Sequence, residues 1–169
     1  MKIDGTRAYD RATELVLAYY AAFNRGDWAG MQALLAEDVV HDLNQGAREI
    51  GKAAFAAFQS RMERSYREQL RDVVVMASPD GARAAAEYVV HGEYLVADDG
   101  LPPANGQRYV LPGGAFFDIR DGRIARVTRH RAYDPRAADI LYEDRALARE
   151  LLYHKPRLTP KRIAHIARR

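Results

Sequence analysis

The chain has 169 residues, enough for one domain with its own hydrophobic core, and a net charge of +3. Its apolar share of 48% and charged share of 29% are ordinary for a globular protein. The chain contains no cysteine, which excludes disulfides, a thiol nucleophile and cysteine metal sites. No apolar stretch follows Met1 as it would in a signal peptide, so we expect a cytoplasmic protein.

The excess positive charge lies at the C-terminal end of the chain. Residues 151–169 contain six Lys or Arg and no acid, so the other 150 residues have a net charge of −3. A nucleic-acid-binding domain normally carries its positive charge on the fold itself, and the longest apolar runs are too short to span a bilayer. We therefore expect neither nucleic acid nor a membrane as a partner.

The first part of the chain predicts three helices and one strand. Apolar side chains recur at helical spacing over residues 10–24 and again after Asp27, which can cap a second helix. Residues 38–43 are rich in β-branched side chains and predict a strand. A third apolar stripe predicts a helix over residues 50–67.

After the third helix the hydrophobic period changes to two, which predicts a sheet. The predicted strands cover residues 70–76, 82–96, 107–119 and 124–133, the last two joined by a tight hairpin at residues 120–123. This order predicts an α+β fold. We expect a cone-shaped domain in which a curved, mostly antiparallel sheet and three N-terminal helices enclose a pocket.

The chain after Pro135 predicts a separate extension rather than a second domain. Residues 136–153 have a loosely helical pattern, and residues 154–169 are basic with few aliphatic side chains. We therefore divide the chain into a domain over residues 1–135 and a helical, basic C-terminal extension over residues 136–169.

Three segments resemble the nuclear transport factor 2-like superfamily. They are YYAAFNRGD at residues 19–27, LLAEDVV at 34–40 and FDIRDGRI at 117–124. Within it, the chain most resembles the ketosteroid-isomerase-related, SnoaL-like branch that includes polyketide cyclases, over residues 10–133. The resemblance implies a homodimer with a pocket for a small hydrophobic organic ligand.

The resemblance also implies site residues. Ketosteroid isomerases use an aspartate base, which matches Asp42, and a tyrosine hydrogen-bond donor, which matches Tyr19. Their second donor, a protonated aspartate, falls at Ala115 or Gly114, and neither side chain can donate. The same position carries the catalytic aspartate of SnoaL-like cyclases. We therefore expect a poor steroid isomerase.

Each candidate also has a purely structural interpretation. By parity Asp42 faces the same way as Val40, into the pocket if the resemblance holds, or else it caps a turn at the strand end. Tyr19 lies on the buried stripe of the first helix and could simply pack there. His91 lies in a strand and could line the pocket as a further catalytic candidate, although a lone strand histidine is more often structural.

Two arginines in the last strand are candidate ligand contacts. Arg129 and Arg131 share the face of Val127, which lines the pocket in the isomerase pattern. Two arginines there would suit a carboxylate or phenolate ligand. The alternative is a surface pair or a salt bridge to Glu93 or Asp118.

These faces together predict the ligand-binding residues. They are Val40, Phe58, Tyr109, Leu111, Ala115, Phe117, Val127, Arg129 and Arg131. No HxH or HExxH pattern occurs, so we expect no metal. The leading hypothesis is an enzyme of isomerase or cyclase type, or a lyase or hydratase of related proton-transfer chemistry, that needs no cofactor, with Asp42 as general base and Tyr19 as hydrogen-bond donor. The alternatives are a non-catalytic ligand-binding protein and a protein-interaction module of the same fold.

Overall fold

The computed structural model describes residues 3–43, 48–98 and 103–131. Three helices precede or interrupt the sheet: α1 (Ile3–Arg25), α2 (Trp28–Ala33) and α3 (Lys52–Ser65). The six strands are β1 (Leu35–Asp42), β2 (Arg48–Ile50), β3 (Tyr66–Ala77), β4 (Arg83–Tyr94), β5 (Arg108–Arg120) and β6 (Arg123–Arg131). The predicted extension over residues 136–169 lies outside the described residues.

The strands form one mixed sheet in the order β2-β1-β6-β5-β4-β3. All neighbouring strands are antiparallel except β1 and β6, which run parallel. The prediction of an α+β fold with three helices and a mostly antiparallel sheet is confirmed. Within the described ranges no helix has the length and apolarity needed to cross a membrane.

Local sequence signals explain most element boundaries. The Asp27 carboxylate accepts a hydrogen bond from the Gly30 amide at 2.9 Å, which confirms the predicted cap of α2. Asp121 and Gly122 both have positive φ, 52° and 69°, as the two-residue hairpin turn between β5 and β6 requires.

The sheet differs from the sequence prediction mainly in β2 and in the start of β3, while β1 begins three residues earlier than predicted, at Leu35. β2 was not predicted, because three residues at the sheet edge are too few to show a period of two. β3 begins at Tyr66 rather than at residue 70, because Arg67, Glu68 and Gln69 hide the alternation. Their side chains nevertheless alternate between exposed and more buried positions, as in any half-buried strand.

The helices cover one face of the sheet, which we call the inner face; the opposite side is the outer face. α1 packs Val16, Tyr19 and Tyr20 against it, and the Tyr19 ring meets the Phe117 ring edge-on with centroids 5.9 Å apart. The other inward strand residues of this core include Val39, Ala86, Tyr88, Val90, Tyr109, Leu111, Ala115 and Val127.

Candidate functional site

A cavity of about 390 Å³ opens between the end of α1, the two shorter helices and the start of β3. Its volume suits a small organic molecule. Apolar and aromatic side chains form half of its wall, and polar or charged side chains form the other half: Phe23, Asn24, Arg25, Trp28, Met31, Phe55, Phe58, Gln59, Met62, Glu63, Tyr66, Arg67, Glu68, Gln69, Leu95 and Arg129, with Gly26.

Arg129 brings a positive charge to the part of the wall formed by Phe58; the other charged residues of the wall are Arg25, Glu63, Arg67 and Glu68. Arg129 lies on the inner face of β6, and its guanidinium carbon is 5.5 Å from the centre of the Phe58 ring. Within the described ranges no carboxylate forms an ion pair with it, since Glu93 pairs with Arg67 and Asp118 with other arginines. The alternative of a salt bridge from Arg129 to Glu93 or Asp118 is therefore wrong.

Tyr19 lies behind Arg129 rather than on the cavity wall. Its side chain is fully buried, and its hydroxyl has no hydrogen bond of good geometry within the described part of the chain. Burial raises the pKa of Tyr19, while the nearby positive charge of Arg129 acts in the opposite direction.

His41 is the buried titratable group beside Arg129. Its Nδ1 lies 3.1 Å from Oε2 of Glu49, and its ring packs on Phe55 and Phe58 at 5.0 and 4.7 Å. Burial and the charge of Arg129 lower the pKa of His41 to about 3, so the ring is neutral at physiological pH. Nδ1–H then donates to Glu49, and Nε2 keeps its lone pair, with no partner among the described residues.

Asp42 lies on the outer face, so its predicted place in the pocket is wrong. Its carboxylate accepts a hydrogen bond from Arg48 at 2.6 Å and forms an ion pair with Arg126 at 3.2 Å. The hydrogen bond from Arg48 is the main cause that lowers the pKa of Asp42. Asp42 and Val40 do share one face of β1, as predicted, but that face is the outer one. The residue that points inward is His41, which is 1% exposed.

The remaining predicted site residues divide into three groups. Phe58 lines the cavity with Arg129, as predicted. Val40 and His91 lie half-buried on the outer face, so neither lines the cavity. Arg131 is described by its backbone alone, opposite Gly113 of β5.

Five predicted ligand contacts face inward but do not reach the cavity. They pack in the core between the sheet and the helices: Tyr109, Leu111, Ala115, Phe117 and Val127. The prediction that these five side chains lie on the inner face of the sheet is correct, but helix side chains pack against most of them and separate them from the cavity.

Glu68 is a cavity residue that sequence reasoning missed. It faces inward from β3, and its Oε1 accepts a hydrogen bond from the Tyr109 hydroxyl at 2.6 Å. Extending the alternation of β3 backward from Leu70 would have placed Glu68 on the inner face. Glu49, which orients His41, was missed because it lies in the unpredicted strand β2.

The polar groups around the cavity suit organic anions and proton transfer. Among the residues that the structure describes, no three His, Asp or Glu side chains converge as metal ligands. The groups concerned are the guanidinium of Arg129, the neutral imidazole of His41, which is buried against Phe55 and Phe58 rather than on the wall, and the carboxylate of Glu68. They can hold a negative oxygen, exchange a proton and accept a hydrogen bond, respectively.

Comparison with known proteins places the chain in a family. The model of the SnoaL-like domain matches residues 16–127. The chain belongs to the SnoaL-like domain family. A search of curated proteins gives no match.

Three solved structures are similar to the chain along most of their length, and all three are of candidate polyketide cyclases. The one from Xanthomonas campestris is 67% identical, with a TM-score of 0.72, covering 76% of this chain and 94% of its own. That from Pseudomonas putida is 60% identical, with a TM-score of 0.72 and coverages of 78% and 97%. That from Silicibacter is 49% identical, with a TM-score of 0.71 and coverages of 73% and 90%.

Proposed function

We propose that the protein is a cofactor-independent enzyme of isomerase or cyclase type, acting on a small hydrophobic carbonyl compound. The observation that carries this proposal is the guanidinium of Arg129 on the cavity wall, which forms no salt bridge with a carboxylate of the described residues. Removing a charge from water without pairing it is costly, so such an arrangement suits a site whose ligand supplies the negative charge.

The chemistry follows from where charge develops in such a reaction. Removing a proton from the carbon beside a carbonyl moves an electron pair toward the carbonyl oxygen and forms an enolate. Arg129 would donate hydrogen bonds to that oxygen, and Tyr19 behind it would hold the guanidinium in place. An isomerase returns the proton to another carbon, whereas a cyclase lets the enolate carbon attack a second carbonyl of the same molecule.

His41 is the proton acceptor in this proposal, in place of Asp42. Its ring lies against Phe55 and Phe58 and is not part of the cavity wall, so Phe58 must shift to open Nε2 to the ligand. Its Nε2 takes the proton, while Glu49 accepts from Nδ1 and stabilises the resulting imidazolium. In the free protein the charge of Arg129 opposes protonation of His41. An enolate bound at Arg129 would offset that charge, so the imidazole becomes more basic as the enolate forms. The likeness to candidate polyketide cyclases supports this type of reaction.

Deuterium exchange into 2-tetralone tests the proposal directly. This bicyclic ketone is apolar and has exchangeable protons beside its carbonyl, and NMR in D₂O measures their loss. We expect the wild type to accelerate exchange, and Arg129→Met and His41→Gln each to reduce the rate about a hundredfold or more. Arg126→Met, on the outer face of the same strand, is the matched control and should exchange like the wild type. An Arg129→Met rate equal to the wild-type rate would contradict the proposal.

A second candidate function is non-catalytic binding of a small anion. The residues at the positions that match the catalytic residues of ketosteroid isomerases favour it. Ala115 cannot donate a hydrogen bond, and Asp42 is engaged by two arginines on the outer face. Under this alternative the protein would bind an aromatic carboxylate through Arg129 and would leave the exchange rate of 2-tetralone unchanged.

A further inference from the structure

Two buried glutamines, Gln59 and Gln107, differ in what their side chains bind. Each is 7% exposed. Gln107 is bound by the backbone at both ends of its amide: Oε1 accepts from the Asn105 amide at 2.7 Å, and Nε2 donates to the Pro103 carbonyl at 2.9 Å. Gln59 lies in the cavity wall, and within the described ranges its amide binds side chains rather than the backbone. Gln107 therefore holds a loop, whereas Gln59 needs another explanation.

The sulfur of Met31 fixes the direction of the Gln59 amide. Oε1 of Gln59 accepts a hydrogen bond from Nε2 of Gln32 at 3.1 Å, and its own Nε2 donates to Sδ of Met31 at 3.4 Å. A thioether sulfur carries no hydrogen and can only accept. The amide atom that faces Met31 must therefore be the nitrogen, which leaves the oxygen on the side of Gln32.

This arrangement leaves donor capacity on Nε2 of Gln59. An amide nitrogen carries two hydrogens, and the Met31 sulfur takes one of them. The second has no acceptor among the residues that the structure describes. A thioether is also a weak acceptor, and a buried donor without a good partner is unfavourable. Because Gln59 and Met31 both line the cavity, an oxygen of a bound molecule can accept from this nitrogen without displacing a strong partner.

The position of Gln59 in α3 does not require a polar side chain. Phe55, Gln59 and Met62 follow one another at helical spacing, and all three line the cavity. The other two are apolar, and a buried amide is costlier than an apolar side chain at such a position. Gln32, which donates to Gln59, is only half-buried and does not depend on it. The amide of Gln59 is thus better explained by a ligand than by the fold.

Arg129 and Gln59 bring two different donors to one cavity. Arg129 belongs to β6 and Gln59 to α3, and both line the wall. A guanidinium binds a negative oxygen most strongly, whereas an uncharged amide N–H suits a neutral acceptor such as a ketone. A molecule that satisfies both donors carries one acidic oxygen and one neutral oxygen.

We propose that Gln59 is a specificity-determining residue of this site, which donates a hydrogen bond to a ketone oxygen of a ligand whose acidic oxygen is bound by Arg129. Met31 is the residue that orients the amide. This inference rests on the part of the proposed function that assigns the negative oxygen to Arg129.

Pairs of aromatic acids test the proposal by calorimetric titration. Each pair contains a ketone and the alkene in which C=CH₂ replaces C=O, so that the shape is kept and the acceptor is lost. The ketones are 3-acetylbenzoate, 4-acetylbenzoate and 4-benzoylbenzoate, which set the two oxygens at different separations. In the wild type we expect the ketone of at least one pair to bind about five- to tenfold more tightly than its alkene. In Gln59→Met this preference should disappear, and in Gln107→Met, the matched change outside the cavity, it should persist.

The outcomes separate this inference from the proposed function. If Arg129→Met weakens binding of all the acids but the wild type prefers no ketone, or the preference persists in Gln59→Met, the role of Gln59 is refuted and that of Arg129 stands. If Gln59→Met loses the preference but Arg129→Met binds every acid as the wild type does, the role of Arg129 is refuted and that of Gln59 stands. If the wild type binds none of the acids, both are refuted.

NMR of the Gln59 side-chain amide tests the same contact in the unaltered protein. Saturation with the preferred ketone should shift one of the two Nε2 proton resonances downfield, and its alkene should leave that resonance in place. An unshifted resonance would overturn the proposal. This measurement needs no variant, so it decides the question even where Gln59→Met folds poorly.

Met31→Leu tests the orienting role of the sulfur. Leucine keeps an apolar side chain at this buried position and removes the only acceptor that holds Nε2 of Gln59 within the described structure. We expect the affinity for the alkenes to stay unchanged and the preference for the ketone to fall several-fold. A merely structural role of Met31 would change the affinity for ketone and alkene alike, and that result would overturn its orienting role.

Discussion

Two arginines on opposite faces of β6 show how differently the two sides of this sheet are built. On the outer face, Arg126 forms ion pairs with Asp42 at 3.2 Å and Asp118 at 3.6 Å. On the inner face, Arg129 stands against aromatic rings with no carboxylate partner among the described residues. Arg126 thus belongs to an ion-pair network, whereas in the proposed function the charge of Arg129 is paired by a bound ligand.

The same contrast separates the two titratable residues at the end of β1. Asp42 is held as a carboxylate by Arg48 and Arg126, which makes it a poor proton acceptor. His41, its neighbour in sequence, is neutral and buried, and Nε2 keeps an unpartnered lone pair within the described structure. A candidate site is thus better recognised by unsatisfied polar groups than by the presence of charged ones.

The largest expected effect concerns the pH dependence of stability through His41. Unfolded, this histidine binds a proton below about pH 6.5, whereas in the folded protein its pKa is about 3. Between these values the unfolded state binds more protons, so the free energy of unfolding falls as the pH falls, by at most about 1.4 kcal/mol per pH unit from this residue and by about half that near pH 6.5. Urea denaturation at pH 7, 6 and 5 measures this slope.

His41→Gln isolates the contribution of this one residue. Glutamine can still donate to Glu49 but does not titrate, so the variant should lose less stability between pH 7 and pH 5 than the wild type does. Equal slopes for the two proteins would show that His41 is not held neutral by the fold.

The contrast between the two faces also explains what sequence reasoning could and could not predict. Periodicity predicted the three helices and the long strands, because each buries one continuous stripe against the core. Parity correctly placed Arg129 with Val127 on the inner face of β6. Parity also placed Asp42 correctly on the same face as Val40. Alternation does not say which face of a strand points inward, however, and the resemblance to isomerases assigned the face of Asp42 to the pocket, which is wrong.

The missed residues share a different cause. Glu68 and Glu49 belong to segments where polar residues interrupt the apolar pattern, so apolar residues alone did not mark a strand there. Their roles depend on cross-strand partners, Tyr109 for Glu68 and His41 for Glu49. Strand register decides such pairs, and the apolar pattern of a single segment does not encode it.

The second prediction is that removing the inner arginine stabilises the protein. Arg129→Met replaces a half-buried, unpaired charge by an apolar side chain that can pack on Phe58. We expect the free energy of unfolding to rise by about 1–2 kcal/mol, because the desolvation cost of the guanidinium disappears. Urea denaturation measures it. A loss of stability larger than that of Arg126→Met would show that Arg129 supports the fold rather than a ligand.

The smallest expected effect is that of Asp42→Asn. The Asp42 side chain is 21% exposed, and its ion pairs face solvent on the outer side of the sheet. Exposed ion pairs contribute little, so we expect a loss of less than about 1 kcal/mol and a 2-tetralone exchange rate equal to that of the wild type. The folded pKa of Asp42 is lowered, so its small contribution is present at neutral pH and lost as the pH falls through that value. A rate loss of about a hundredfold in folded Asp42→Asn would mean that the outer face carries the catalytic base after all, and that the contrast between the two faces has been assigned the wrong way round.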